Sequence, residues 1–518
     1  MSTTNLLGEK EVATTADYST TVNPDRKKTG VYGLRFRCLT PMETLAQSIA
    51  VIAPSASTAA IICLAFVAAG NATWLSYAFA GVGLALVGLN VNQFARRSAS
   101  PGSLYSYTTM ALGPAAGVMV GWGWLVAYVG CGIALAGAAA NFMLLLFHSP
   151  TGAAWPYITY TLAILIPWYI AYRDIKLSAR MMLILEFTSM ALIAVLIVGV
   201  FMKTGVSVYV PQIKLQGFTA QGFFLAIVLA VFCNIGFESS TSLGEEAKNP
   251  LKSIPRAVIL ATVVASTFYV LSSFAIVGGF AAAGVTLDGN ADELGTLTAY
   301  LHMGWLGPIM TIMVLVSALG CTLGSFNAAC RVMFAMARHG VIHKSVAGAH
   351  KTHETPHVSV TVCAAFSLII GYFMMAHWQC ALTDILNDVS TMSSYGFLVG
   401  FVLICIAAPV YLKRLGKLTP VAIVVSILGL LFMVVPIIGS FYPLPDPPIR
   451  YYPYIFAGYL VIGLIFLFIQ RGMGSSVIQK IETDLEGIAI RYGSGKEPIM
   501  HAEVDGVADP GDANPATA

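Results

Sequence analysis

The sequence predicts an all-α integral membrane protein with about twelve spanning helices. Of its 518 residues, 57% are hydrophobic and only 10% charged, against about 25% charged in a soluble domain. The chain also divides into apolar runs at or above the ~20 residues that cross a bilayer. Its basic residues, finally, fall on alternate loops.

The runs are read at 44–69, 72–95, 114–147, 154–172, 179–202, 219–243, 255–280, 303–337, 358–377, 384–411, 418–440 and 452–470. The third and eighth exceed one bilayer thickness, which tilt or extension into water accommodates. Placing the N-terminus inside and alternating leaves only Lys203, Lys214 and Arg450 outside, with 25 of the 28 Lys and Arg inside. This asymmetry is the positive-inside pattern. It predicts cytoplasmic N- and C-termini and a chief outer loop at 281–302, which carries Asp288, Asp292 and Glu293. Residues 1–40 read as a cytoplasmic leader, 41–472 as the membrane domain and 473–518 as a partly disordered cytoplasmic tail. The first apolar run begins only near Ala46, so no cleavable signal peptide is expected.

Composition also narrows the function. The net charge of +3 and the lack of a Lys/Arg tract argue against nucleic acid as a partner. The nine cysteines are scattered without a CxxC, as buried thiols rather than metal ligands or disulfides. There is no G-x-x-x-x-G-K-[ST] for an in-chain ATP motor and no H-E-x-x-H for a membrane metalloenzyme. No cofactor is expected beyond a coupling ion, H+ or Na+.

Two runs contain interruptions. The first carries Ala53-Pro54-Ser55-Ala56-Ser57 near mid-membrane, where Pro54 removes a backbone donor. The sixth carries Asn234-Ile235-Gly236-Phe237-Glu238 at a similar depth. Irregular backbone there must be buried in protein or line a cavity. The breaks fall on the first helix of each set of five. Five is odd, so the second set runs inverted. Paired interruptions in corresponding helices point to a transport site. A channel or receptor would instead have continuous helices or a symmetric filter.

The run Gly236-Phe237-Glu238, with Gly244-Glu245-Glu246-Ala247-Lys248-Asn249-Pro250 and Ile254-Pro255-Arg256-Ala257, resembles the amino acid–polyamine–organocation permeases. Pro101-Gly102-Ser103-Leu104-Tyr105-Ser106-Tyr107 and Met336-Ala337-Arg338-His339-Gly340 match two further family patterns. The resemblance covers about 40–470. It implies a leucine-transporter-type fold: two inverted five-helix repeats (about 44–202 and 219–411), discontinuous helices 1 and 6, and two additional helices at 418–470. It also implies secondary active transport of an amino acid across the cytoplasmic membrane by alternating access, proton-coupled or exchanging. The alternative is an amine, polyamine or ethanolamine permease. The family's first-helix G-[SA]-G turn, whose amides hold a substrate carboxylate, is here Pro54-Ser55-Ala56, which weakens carboxylate recognition. Ser189 stands where some proton-coupled members have Lys.

The expected substrate-binding residues are Ala53, Pro54, Ser55, Ala56, Ser57, Phe232, Asn234, Ile235, Gly236 and Glu238. Glu238 suits a substrate ammonium or a coupling proton. Phe232 is expected to be an outer gate or a packing residue. Glu186, expected near the cytoplasmic end of the fifth helix, is either a second coupling group or the partner of an inner Arg. Ser317, Ser325 and Asn327 either form an ion site or join helices. Trp122, Trp124 and Tyr128 either line the pathway or pack. Asp384 and Asp388, on one face at the outer end of the tenth helix, either draw cations to an outer vestibule or are simple solvated helix-end charges.

Overall fold

A computed structural model describes residues 34–147, 152–288, 293–350, 352–442 and 447–471. Most of the expected leader and all of the tail at 473–518 lie outside the described residues. The described residues form sixteen α-helices and no sheet; one isolated bridge joins Leu39 to Ala247. Ten stretches are long and apolar enough to cross a membrane. The protein is therefore a multi-pass membrane protein.

Helix α1 spans Pro41–Ile52 and α2 Pro54–Ala69, separated by the single residue Ala53. Thr40 and Glu43 form a capping box that starts α1. Ala53 sits in the left-handed region at φ 47°. Proline disfavours the right-handed helical region for the residue before it, and its own fixed φ suits the first helical turn. Pro54 therefore ends one helix and begins the next. The sequence reading left 53–57 irregular, but the structure confines the break to Ala53; Pro54 to Ser57 are the first turn of α2.

α3 spans Thr73–Ala95, α4 Ser103–Leu112, α5 Pro114–Leu146, α6 Trp155–Arg173 and α7 Ile175–Lys203. The last begins earlier than expected because the Asp174 side chain caps it by accepting from the Lys176 amide. Asp174 also takes both of its oxygens to Arg35 Nη1 at 2.9 Å, which fixes the end of the leader. Glu186 thus lies about three turns into its helix, deeper than expected.

The short α8 (Val210–Ile213) precedes α9, Ala220–Asn234. After α9 the chain runs through Ile235 and Gly236 into a 3-10 turn at Ser239–Leu243. α10 spans Pro250–Ala283, with Pro250 at its first turn, so it reaches beyond the expected start at 255. α11 (Glu293–Tyr300) occupies part of the loop expected to be solvent-facing, and Glu293 in it is buried. Its Oε1 accepts from the Cys63 amide of α2, so this acid braces a helix rather than facing water.

α12 (Gly307–His339), α13 (His357–His377), α14 (Leu382–Arg414), α15 (Pro420–Gly439) and α16 (Tyr452–Arg471) complete the fold. The core centres on α5, which packs most extensively against α14 and α12. Glycines permit this approach. A Cβ on Gly396 would overlap the Gly123 carbonyl, and one on Gly400 would overlap the Trp124 ring. Membrane helices approach closely through such small residues. All nine cysteines are free thiols.

Candidate functional site

The two breaks meet. Gly236 has φ +105°, and a Cβ there would overlap Val51 at the end of α1. Only glycine allows both this conformation and this contact. Ser48 of α1 donates to the Phe237 carbonyl at 2.8 Å and accepts from the Ser240 amide at 3.1 Å. Ser239 donates to the Gln47 carbonyl at 3.1 Å. Ser48 and Ser239 thus hydrogen-bond α1 to the segment that follows the second break.

A broken helix leaves carbonyls at one end and amides at the other, and buried groups of this kind need partners. Carbonyls at the end of α1 are satisfied from outside the helix. Val51 O accepts from Cys321 Sγ at 3.1 Å. The Tyr269 hydroxyl of α10 donates to Cys233 O at 2.9 Å and lies 3.2 Å from Ile52 O. Tyr269 therefore serves both breaks at once, a role that nothing in its local sequence announces.

The amides at the start of α2 are also occupied. Pro54 has none. The Ser55 amide donates to Glu186 Oε1 of α7 at 3.2 Å. The Ala56 amide donates to Ser317 Oγ of α12 at 3.2 Å. The Ser57 amide donates to the Ala53 carbonyl at 2.9 Å. A carboxylate at a helix N-terminus also gains from the helix dipole. Glu186 is buried, and its Oε2 and the Ser55 hydroxyl have no hydrogen-bond partner. Among the described residues no Arg pairs with Glu186, the second of its two expected roles: Arg180 pairs with Glu43 at 3.1 Å. Depth along α7 explains the difference, because Glu186 faces the break and not the helix end.

Glu238 is fully buried beside the second break. Its Oε1 accepts from the Tyr128 hydroxyl of α5 at 2.9 Å, and its Oε2 has no hydrogen-bond partner. Tyr128 is held edge-on by Trp124 and Phe397. Among the described residues Arg331 is the only buried Lys or Arg. It is fully engaged elsewhere, with Nε and Nη2 each 2.7 Å from a different oxygen of Glu246.

The remaining expected residues separate by geometry. Asn234 turns its side chain away from the break, donating to Ala230 O at 2.9 Å and accepting from Ser266 at 2.9 Å. Ile235 is extended and buried, and Phe232 is half-buried near the end of α9. Ser57 donates to the Ile52 carbonyl at 3.3 Å. On α12, Ser317 faces the first break, whereas Asn327 binds Ser178 at 2.7 Å and joins helices. Trp122 packs edge-on against Tyr459 of α16. Ser189 donates to backbone carbonyls of its own helix and of α12.

Past the second break the chain is packed against its neighbours. Ser239 through Ala247 are all buried. Ser103 bonds Thr241 side chain to side chain. Leu39 N–H donates to Glu246 O at 2.8 Å, and Lys248 N–H donates to Leu39 O at 2.9 Å. The end of the leader is thus laid against the segment after the second break.

An all-helical membrane protein with two touching helix breaks and buried carboxylates beside them has the architecture of a solute carrier. The chain belongs to the amino acid permease family, whose sequence profile matches residues 45–480. Its homologues are transporters, not enzymes. It is 26% identical over 367 residues to the branched-chain amino acid permease BcaP of Bacillus subtilis, covering 67% of this chain and 75% of that protein. It is 25% identical over 366 residues to the methylthioribose transporter of the same organism, with the same coverage. It is 24% identical over 308 residues to the low-affinity putrescine importer PlaP of Escherichia coli, covering 57% of this chain and 66% of that protein.

Proposed function

We propose that this protein is a secondary carrier of a small organic amine, moved across the cytoplasmic membrane by alternating access. The observation that carries this reading is the occupancy of the first-helix amides. A substrate carboxylate would need free N–H donors at the start of α2 or a buried cation. The Ser55 and Ala56 amides are already engaged by Glu186 and Ser317. The buried Arg331 is engaged by Glu246. What the breaks offer instead is negative: Glu186 at one, Glu238 at the other. A buried carboxylate without a cationic partner has to be matched by a proton or a substrate cation. An ammonium matches Glu238 and asks nothing of the amides. The putrescine importer among its relatives is in keeping with this class.

A second reading, transport of an amino acid, is favoured by the branched-chain amino acid permease relatives. It requires Glu186 to release the Ser55 amide when substrate enters. In either reading Glu238 exchanges proton for ammonium and so couples transport to H+, with Glu186 as a second coupling carboxylate. The topology proposed is twelve passes in two inverted five-helix repeats plus two. The apolar stretch Pro41–Ala95 then holds two passes, and α6 supplies one more. Both termini are cytoplasmic, on the basic side of the chain.

The test is ligand-dependent thermal stabilisation of the detergent-purified protein, since a ligand that binds the folded state raises the melting temperature by mass action. Amino acids are compared with their decarboxylated amines. Stabilisation by amines alone supports the proposal. Stabilisation by amino acids alone replaces it with the second reading.

A further inference from the structure

We propose a binding site for an anionic phospholipid between the start of α1 and the start of α10. A groove of about 240 Å³ opens there. Met42 and Leu45 of α1 form one wall, and Ala257 and Leu260 of α10 form the other. Lys252 and Arg256 stand at its mouth, one helical turn apart on α10. Side chains four residues apart share one helix face.

Both cations are exposed and no acid lines the groove. Of the acids on the adjoining elements, Glu43 of α1 pairs with Arg180 and Glu246 before α10 with Arg331, and Glu245 is buried and does not line the groove. The mouth is therefore a pair of uncompensated positive charges above an apolar slot. Met42 is 51% and Leu260 47% exposed, so the slot is open along its side. Both helices belong to stretches long and apolar enough to cross a membrane, and the groove lies between the first turns of α1 and the first three turns of α10. With the proposed topology, that end of both helices is the cytoplasmic one, where headgroups lie. A phosphate fits Arg256 and Lys252, because guanidinium binds it through two parallel N–H bonds and ammonium as a point charge. An acyl chain fits the wall beneath. Basic pockets between membrane helices on the cytoplasmic side bind anionic headgroups in this manner. Soluble phosphate would use the mouth and leave the apolar wall idle.

The lipid would bridge α1, the inner half of a broken helix, to the continuous α10. Loading the site would therefore bias how freely α1 tilts. This does not depend on which solute is carried.

The experiment is native mass spectrometry of delipidated full-length protein titrated with palmitoyl-oleoyl phosphatidylglycerol, with the phosphatidylcholine analogue as control. Retention of one phosphatidylglycerol in preference to phosphatidylcholine is expected. The Lys252→Ala/Arg256→Ala variant should weaken that retention roughly 30-fold in all, about 5-fold for each basic side chain. Lys252→Arg/Arg256→Lys keeps the charge and should keep the lipid, which separates charge from folding. Lys248→Ala should have no effect. Equal retention of both lipids, or unchanged retention in the double alanine variant, overturns the proposal. So does displacement of the lipid by equimolar glycerol phosphate, which would assign a soluble phosphate site.

Discussion

Replacing Glu186 should move the substrate preference of this carrier toward amino acids. Its carboxylate accepts from the Ser55 amide at 3.2 Å, where a family member with free amides would hold its substrate. A hydrogen bond to a charged group contributes about 1.5–3 kcal/mol. At 3.2 Å this one is longer than the usual charge-assisted bond, which places it near the lower figure. A substrate carboxylate brought to ~5 Å from Glu186 would also be repelled by about 3 kcal/mol at an effective dielectric of ~20. Glu186→Gln keeps an oxygen for Ser55 and removes the repulsion. Glu186→Ala removes both obstacles and frees the amide. The ratio of amino-acid to amine affinity should rise roughly tenfold or more in both variants, and further in the alanine. The assay is thermal stabilisation with matched pairs such as leucine and isoamylamine, or ornithine and putrescine. The ligand-free melting temperature serves as a control for folding. An unchanged ratio in both folded variants would refute the reasoning, because the amide would then not be a carboxylate site that Glu186 blocks.

Four further outcomes are expected. Glu238→Gln should weaken substrate exchange in proteoliposomes and abolish accumulation driven by a pH gradient; unchanged exchange and accumulation in the folded variant would show that Glu238 neither holds the ammonium nor carries the coupling proton. Gly236→Ala should abolish uptake and lower the yield of folded protein, because its Cβ overlaps Val51 at φ +105°; normal uptake would show that the breaks do not touch. Arg331→Met should destabilise by about 3–5 kcal/mol by stranding Glu246, and Arg331→Met/Glu246→Leu should recover most of it; thermal melts of the two variants check this. Burial pushes the Cys38 thiol up to about 12. Only the thiolate reacts, so maleimide labelling of a variant retaining Cys38 alone should be roughly a thousandfold slower at pH 8 folded than unfolded, and should accelerate as pH rises.

The sequence by itself determined the solvent, the class and the location of the breaks. Apolar runs of membrane length are a local property, and most helix spans were readable from them: α5 was expected at 114–147 and found at Pro114–Leu146. Pro54 and Gly236 were legible because their backbone limits act on the residue itself and its neighbours. Boundaries slipped where a side chain overrode the apolar count, as Asp174 does by capping α7 and Pro250 by starting α10. Glu293 was misread as a loop charge because its partner, the Cys63 amide, lies 230 residues away in sequence.

Only the tertiary structure decided what fills the breaks. Glu186 and Ser317 reach the α2 amides across 131 and 261 residues, and Tyr128 reaches Glu238 across 110. Tyr269 on α10 caps both broken ends, yet its sequence context is that of any apolar helix. The physical reason is the same in each case. A helix break exposes backbone groups whose need for partners is local, but the membrane interior supplies no water to meet it. Whichever distant side chains fold against the break must do so, and that choice belongs to packing.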